Sequence, residues 1–185
     1  MTLPARNLEL KVMVEPEALA AIRERLERQV CQPLVTMRQT DRYYAVSDGR
    51  LKLREFEVTG DDGARFELIA YHRPSLEASR WSDYVVVPIP AASGDAMRVA
   101  LDATHDVIAL VEKERTVGII GKTRVHLDKV VNLGTYVELE TVVAGQSDDN
   151  ARAEHTHVIV ALGLDLFPVV AGSYQDLAGQ DEEGN

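Results

Sequence analysis

The sequence predicts an α+β domain in which an eight-stranded antiparallel β-barrel, or tunnel, is flanked by helices. Three observations predict it. Short runs in which charged and aliphatic residues alternate recur along almost the whole chain. Short turn signals separate many of them, among them Ser47-Asp48-Gly49-Arg50, Thr59-Gly60-Asp61-Asp62-Gly63 and Val131-Asn132-Leu133-Gly134, and they leave no room for a parallel crossover. The charged rows are also ordered by sign. Lys11, Lys52, Arg54, Arg73, Lys113, Arg115 and Arg124 are basic, while Glu9, Asp128, Glu138 and Glu140 are acidic and fall on the first and last strands.

The elements follow in order. Residues 6–14 alternate as a strand, with Glu9 and Lys11 on one face and Leu8, Leu10 and Val12 on the other. Pro16 and its flanking acids open a helix whose Leu19, Ile22, Leu26 and Val30 form one apolar stripe. Strands are expected over 34–46, 51–58 and 65–73, then over 81–90, where prolines suggest an edge or an exit. Ser93 is expected to cap a short helix with Met97, Ala100 and Leu101 turned inward. A long strand over 106–117 ends in a bend at 118–121. The stretch 124–140 then forms a hairpin, with Arg124, His126 and Asp128 in phase on one arm and Glu138 and Glu140 on the other. A helix over 149–164 should bury Ala153, Val158, Ile159 and Leu162, and a second short helix should hold Tyr174, Asp176 and Leu177. Residues 1–178 are thus read as a single domain and 179–185 as a disordered acidic tail.

Composition bounds the function. A formal net charge of −10 argues against a general nucleic-acid binder. No apolar run approaches the ~18 residues that would suggest a membrane span. Cys31 is the only cysteine, so an intrachain disulfide is precluded and a reducing cytoplasm is expected. A homodimer is left open.

One charged hairpin is most simply a solvated hairpin. Recurrence of the pattern suggests instead that the sheet curls with its charged face inward. About eight strands then enclose room for side chains or one small ligand. Buried cations need partners, and a polyanion is the natural one, because Lys and Arg hold phosphate oxygens through charge-assisted hydrogen bonds. Carboxylates facing the same phosphates need a hard cation between them. The rows therefore point to a metal-bound di- or triphosphate.

The residues also resemble a family. Asn7-Leu8-Glu9-Leu10-Lys11, Gln39-x-Asp41-x-Tyr43-Tyr44, Gly49-Arg50-Leu51-Lys52-Leu53-Arg54, Tyr71-x-Arg73, Lys113-x-Arg115, His126-Leu127-Asp128 and Glu138-x-Glu140 are similar, in this order, to the CYTH superfamily, the triphosphate tunnel metalloenzymes. That superfamily includes class IV adenylyl cyclases, thiamine triphosphatases and inorganic triphosphatases, and the strand wording is most similar to the cyclase-like branch. The resemblance implies Mg²⁺ or Mn²⁺ held by Glu9, Asp128, Glu138 and Glu140. It implies phosphate binding by Lys52, Arg54, Arg73, Arg115 and Arg124, with Lys113 and Lys11 as catalytic candidates and Tyr43 as a candidate partner of Lys113. The implied substrate is ATP, thiamine triphosphate or tripolyphosphate; a non-catalytic sensor of a nucleotide or polyphosphate is the further reading. Asn7 stands where the family signature has an acid, which removes one negative charge from the expected metal site.

Overall fold

The computed structural model describes residues 5–61, 63–72 and 80–182. Eight antiparallel strands close into one barrel: β1 (Ala5–Val14), β2 (Val35–Tyr44), β3 (Arg50–Val58), β4 (Arg65–His72), β5 (Arg80–Ile89), β6 (Val107–Ile120), β7 (Thr123–Val130) and β8 (Gly134–Val142), in the order β1-β5-β4-β3-β2-β6-β7-β8. The helices are α1 (Pro16–Glu27), α2 (Ala91–Asp102), α3 (Asp148–Leu162) and α4 (Tyr174–Glu182). None of them is long and apolar enough to cross a membrane.

The barrel is apolar outside and polar inside. Strand alternation sends Leu8, Leu10 and Val12 outward from β1, where Leu10 and Val12 join Leu19, Ile22 and Leu26 of α1. Val125, Leu127, Val137 and Leu139 from β7 and β8 meet the same cluster, as do Val158 and Leu162 of α3. Val137, Leu139 and Val158 are fully buried there, each contributing about 1.5–3 kcal/mol by leaving water. The opposite alternate set of each strand is left to fill the bore.

Several local expectations need correction. On α3 the buried row is Ala151, His155, Val158 and Leu162, spaced as one helix face, so Ala153 is exposed and Ile159 only half-buried. His155 is inside because its Nδ1 meets Thr141 Oγ1 at 2.8 Å, and burial pulls its pKa down to about 4. On α2 the capping position is Pro90 rather than Ser93, and Ala100 is exposed. Gly94 is the buried residue, because the Phe66 ring occupies the space where a Cβ would sit. Gly118 does not start the bend but lies inside β6, flat beneath Leu26 and Leu34. The prolines of β5 mark an exit rather than an edge, since pairing with β1 covers only Arg80 to Tyr84 and Pro88 comes after it. Helix α4 takes in Gly179 to Glu182, which the sequence placed in the tail.

Candidate active site

The inward row of each strand meets in a cavity of about 580 Å³. Glu9 and Lys11 come from β1, Lys52 and Arg54 from β3, Lys113 and Arg115 from β6, Arg124 and His126 from β7, and Glu138 and Glu140 from β8. Two further acids lie beneath this lining: Asp41 on β2 and Asp128 on β7, both without solvent exposure.

Asp41 organises one wall. Lys52 donates to it at 2.8 Å, Arg54 through two nitrogens at 2.7 and 3.1 Å, and Lys113 at 3.0 Å. Burial alone would raise this carboxyl, but Arg54, Lys113 and Lys52 outweigh it and hold its pKa well below the usual carboxylate range. The cations bear the opposite strain. Burial, reinforced by Arg54, pulls Lys52 down to about 7, and burial lowers Lys113 as well. Lys52 also lies 3.4 Å from the Tyr43 hydroxyl, so the observed partner of Tyr43 is Lys52 and not the expected Lys113.

The facing wall is carboxylate-rich. Arg115 donates two hydrogen bonds to Asp128, at 2.7 and 2.5 Å, and one to Glu138 at 2.8 Å. The Tyr174 hydroxyl of α4 donates to Asp128 at 2.7 Å, and its ring lies 3.7 Å from the Lys11 ammonium. Lys11 reaches Glu138 at 3.6 Å and the Gly172 carbonyl at 3.4 Å. Glu140 pairs with Arg124 at 2.7 Å. Its pKa falls to about 2, because His126 and Arg124 overcome the effect of burial. His126 Nδ1 sits 3.8 Å from Glu138 and 3.9 Å from Glu140 without a hydrogen bond of its own. Burial and Arg115 lower its pKa and favour neutral imidazole, the form that offers a lone pair.

His126, Glu138 and Glu140 therefore form a ligand group whose donor atoms lie within 4.8 Å of one another. Two carboxylates and an unpartnered ring nitrogen fit a divalent cation. Glu9 stands opposite Glu140 in register and lines the same cavity, outside that tight group.

Of the expected site residues, the structure brings Lys11, Lys52, Arg54, Lys113, Arg115, Arg124, Glu9, Glu138 and Glu140 together round one cavity. Arg73 lies outside the described residues. Asp128 lies beneath the cavity lining, where Arg115 and Tyr174 engage both of its oxygens. The Asn7 amide, oriented as its neighbours require, accepts from Arg124 at 3.0 Å and donates to the Arg6 carbonyl at 3.2 Å. Two functional groups were passed over in the sequence. Asp41 was quoted only as part of a motif, although its phase with Gln39 and Tyr43 already turned it toward the bore. His126 shares its row with Arg124, and that phase is the signal in the sequence that turns it toward the cavity.

The CYTH domain model matches residues 5–162. The chain belongs to the CYTH domain family. No curated protein matches it. Among solved structures, this CYTH chain resembles one from the Schizosaccharomyces pombe Mediator head module at 14% identity and TM-score 0.71, covering 90% of this chain and 100% of that one. It resembles a candidate adenylate cyclase from Vibrio parahaemolyticus at 17% identity and TM-score 0.62, covering 95% and 98%. It also resembles a candidate adenylyl cyclase from Hippeastrum, described as revealing a dominant triphosphatase activity, at 12% identity and TM-score 0.59, covering 90% and 91%. At such identities the likeness is one of fold, and one CYTH-like barrel serves settings as different as these.

Proposed function

We propose that this CYTH protein is a divalent-cation-dependent enzyme acting on a triphosphate held in the bore. The Asp41 cluster carries this reading. Lys52, Arg54 and Lys113 converge on Asp41, and among the described residues only Glu67, 4.0 Å from Arg54, stands near them as a further acid, so the cations outnumber the carboxylates they meet and the excess faces the cavity. An incoming polyanion completes that balance.

Lys52, Arg54, Lys113 and Arg115 bind and orient the phosphates, with Arg124 at the half-exposed side of the cavity and Arg73 as a further expected contact. Glu138, Glu140 and His126, with Glu9 beside them, would hold Mg²⁺ or Mn²⁺. Such a cation, when bound, supplies charge withdrawal from phosphate oxygens. Lys11 is pinned by Tyr174 and Gly172 and keeps Glu138 in place. Lys113, whose pKa burial lowers from its ordinary value, is the candidate to accept the proton of the attacking hydroxyl.

The first reading is adenylyl-cyclase-like, supported by the strand wording: the ribose 3′-hydroxyl of ATP attacks the α-phosphorus and pyrophosphate leaves. The second is hydrolysis, in which water attacks the terminal phosphorus and orthophosphate leaves. The similarity in fold to the Hippeastrum protein, described as revealing a dominant triphosphatase activity, favours it. The test is product analysis with Mg²⁺ or Mn²⁺ across ATP, thiamine triphosphate and tripolyphosphate. Cyclic AMP with pyrophosphate is expected; orthophosphate selects hydrolysis, and tight binding without turnover selects a sensor. Neither turnover nor binding would end the triphosphate reading.

A further inference from the structure

Helix α4 and the segment leading into it lie beyond the residues that the CYTH model matches, yet Ser173 and Tyr174 line the cavity. The segment runs beside β1 where the pairing with β5, which reaches Glu9, has ended. There the Met13 N–H donates to the Pro168 carbonyl at 3.2 Å and the Val170 N–H to the Lys11 carbonyl at 2.9 Å. Arg50 of β3 fastens the start of α4, donating to Ser173 Oγ at 3.0 Å and to Asp176 at 2.7 Å. Asp176 in turn accepts from the Ser173 N–H at 2.7 Å. Tyr174 is thereby set, buried, among charged groups of both walls. Its hydroxyl donates to Asp128 at 2.7 Å, and its ring lies 3.7 Å from the Lys11 ammonium and 5.0 Å from that of Lys113. The Tyr136 ring packs edge-on against it, with centroids 5.2 Å apart.

Lys11 is drawn two ways. It stands 3.6 Å from Glu138 Oε1, close enough for an ion pair and too far for a hydrogen bond. The Gly172 carbonyl, at 3.4 Å, and the face of Tyr174 also engage the ammonium, and both belong to the C-terminal segment. A buried ammonium gains most from a short, charge-assisted hydrogen bond to a carboxylate. The distance at which Lys11 stands from Glu138 is therefore set by how firmly the C-terminal segment holds it. That distance matters for the metal group. Arg115 already donates to Glu138 Oε2 at 2.8 Å, and an ammonium brought up to hydrogen-bond distance would compete with a divalent ion for the same carboxylate. The hold depends on an aromatic ring. The face of a phenol carries negative potential and attracts the ammonium, whereas an aliphatic side chain of similar bulk would pack there without attracting it.

We infer that Tyr174 is a positioning residue of the metal group: its ring face, with the Gly172 carbonyl, holds Lys11 back from Glu138, so that a divalent cation can claim that carboxylate. The inference rests on the metal reading above and extends the site to a segment outside the matched residues. Calorimetric titration of the full chain with Mn²⁺ alone, no triphosphate being present, tests it. Tyr174→Leu weakens Mn²⁺ binding about tenfold, the worth of a desolvated contact between a cation and a ring, whereas Tyr174→Phe keeps the ring and stays within about threefold. Lys11→Met distinguishes positioning from mere support. In that background Tyr174→Leu costs less than about twofold, because no ammonium is left to release. An equal loss in both backgrounds would overturn the inference, and so would native Mn²⁺ affinity in Tyr174→Leu. Tripolyphosphate titrated without metal binds Tyr174→Leu within about twofold of the native chain if the bore has kept its shape; a loss matching that of Mn²⁺ would make Tyr174 a structural residue and also overturn the inference. Glu140→Gln separates the two levels. It weakens Mn²⁺ binding if the metal reading holds, whatever happens at Tyr174; a native chain that binds no Mn²⁺, or binds it no better than Glu140→Gln, removes the metal reading and the inference together.

Discussion

The two charged walls of the bore are built from the same residue types and behave differently. On the β2–β3–β6 wall a single buried carboxylate, Asp41, faces Lys52, Arg54 and Lys113. On the β1–β7–β8 wall Glu9, Asp128, Glu138 and Glu140 meet Lys11, Arg115 and Arg124. The first wall is short of negative charge and the second is not. Each needs what the other lacks: the first an anion, the second a cation to complete its His126–Glu138–Glu140 group. A polyphosphate with a divalent ion satisfies both at once. The comparison also revises an inference from the sequence. Buried cations do not require a ligand in order to be tolerated here, because Asp41 and Asp128 hold them from below.

Removing Asp41 tests the imbalance most severely. Asp41→Asn leaves three cations facing one another and is expected to cost about 3–5 kcal/mol of stability. Urea denaturation measures the loss, and tripolyphosphate should raise the thermal midpoint of this variant more than that of the native chain. Unchanged stability would mean that the cation wall is held by something other than Asp41. On the other wall, Glu140→Gln should lower metal-dependent turnover by about 10²-fold or more, with the circular dichroism spectrum unaltered. Full turnover would remove Glu140 from the metal group. Arg54→Ala should weaken triphosphate binding by about 1.5–3 kcal/mol, the worth of a hydrogen bond to a charged group. Calorimetry showing the same affinity would break the assignment of the first wall.

The smallest effect is a proton. Lys52 has its pKa at about 7 in the free protein, against an ordinary 10.5. A bound polyanion favours the ammonium, so between those values the complex carries more protons than the free chain. Binding then takes up protons, and affinity falls as pH rises above 7. Titrations in buffers of different ionisation enthalpy read this uptake, and Lys52→Met should abolish it. Proton release would reverse the sign and place the excess charge elsewhere.

Much of the barrel could be read from alternation alone. Period-two patterning placed Glu9 and Lys11 on one face and Leu8, Leu10 and Val12 on the other, and it did so without knowledge of any partner strand. It failed where burial followed packing rather than residue type. His155 is polar yet lies inside, on the helix face it shares with Ala151 and Val158, and Gly118, expected in a bend, lies within a strand beneath Leu26 and Leu34. The site divided in the same way. The inward-facing cations were visible as rows, but the part of Asp41 in gathering Lys52, Arg54 and Lys113 was not, because a carboxylate's role depends on which cations the fold brings to it.

The sequence alone determined which residues face inward, since strand geometry assigns alternate side chains to opposite faces whatever the neighbours are. Only the tertiary structure decided which inward residues meet. Asp41 and Lys113 are far apart in the chain and hydrogen-bonded in the fold. The wall that is short of an anion exists because β2 pairs with both β3 and β6, and it faces the group that suits a cation because the sheet closes through β7 and β8. Pairing between distant strands is a property of the closed sheet, and no local pattern encodes it.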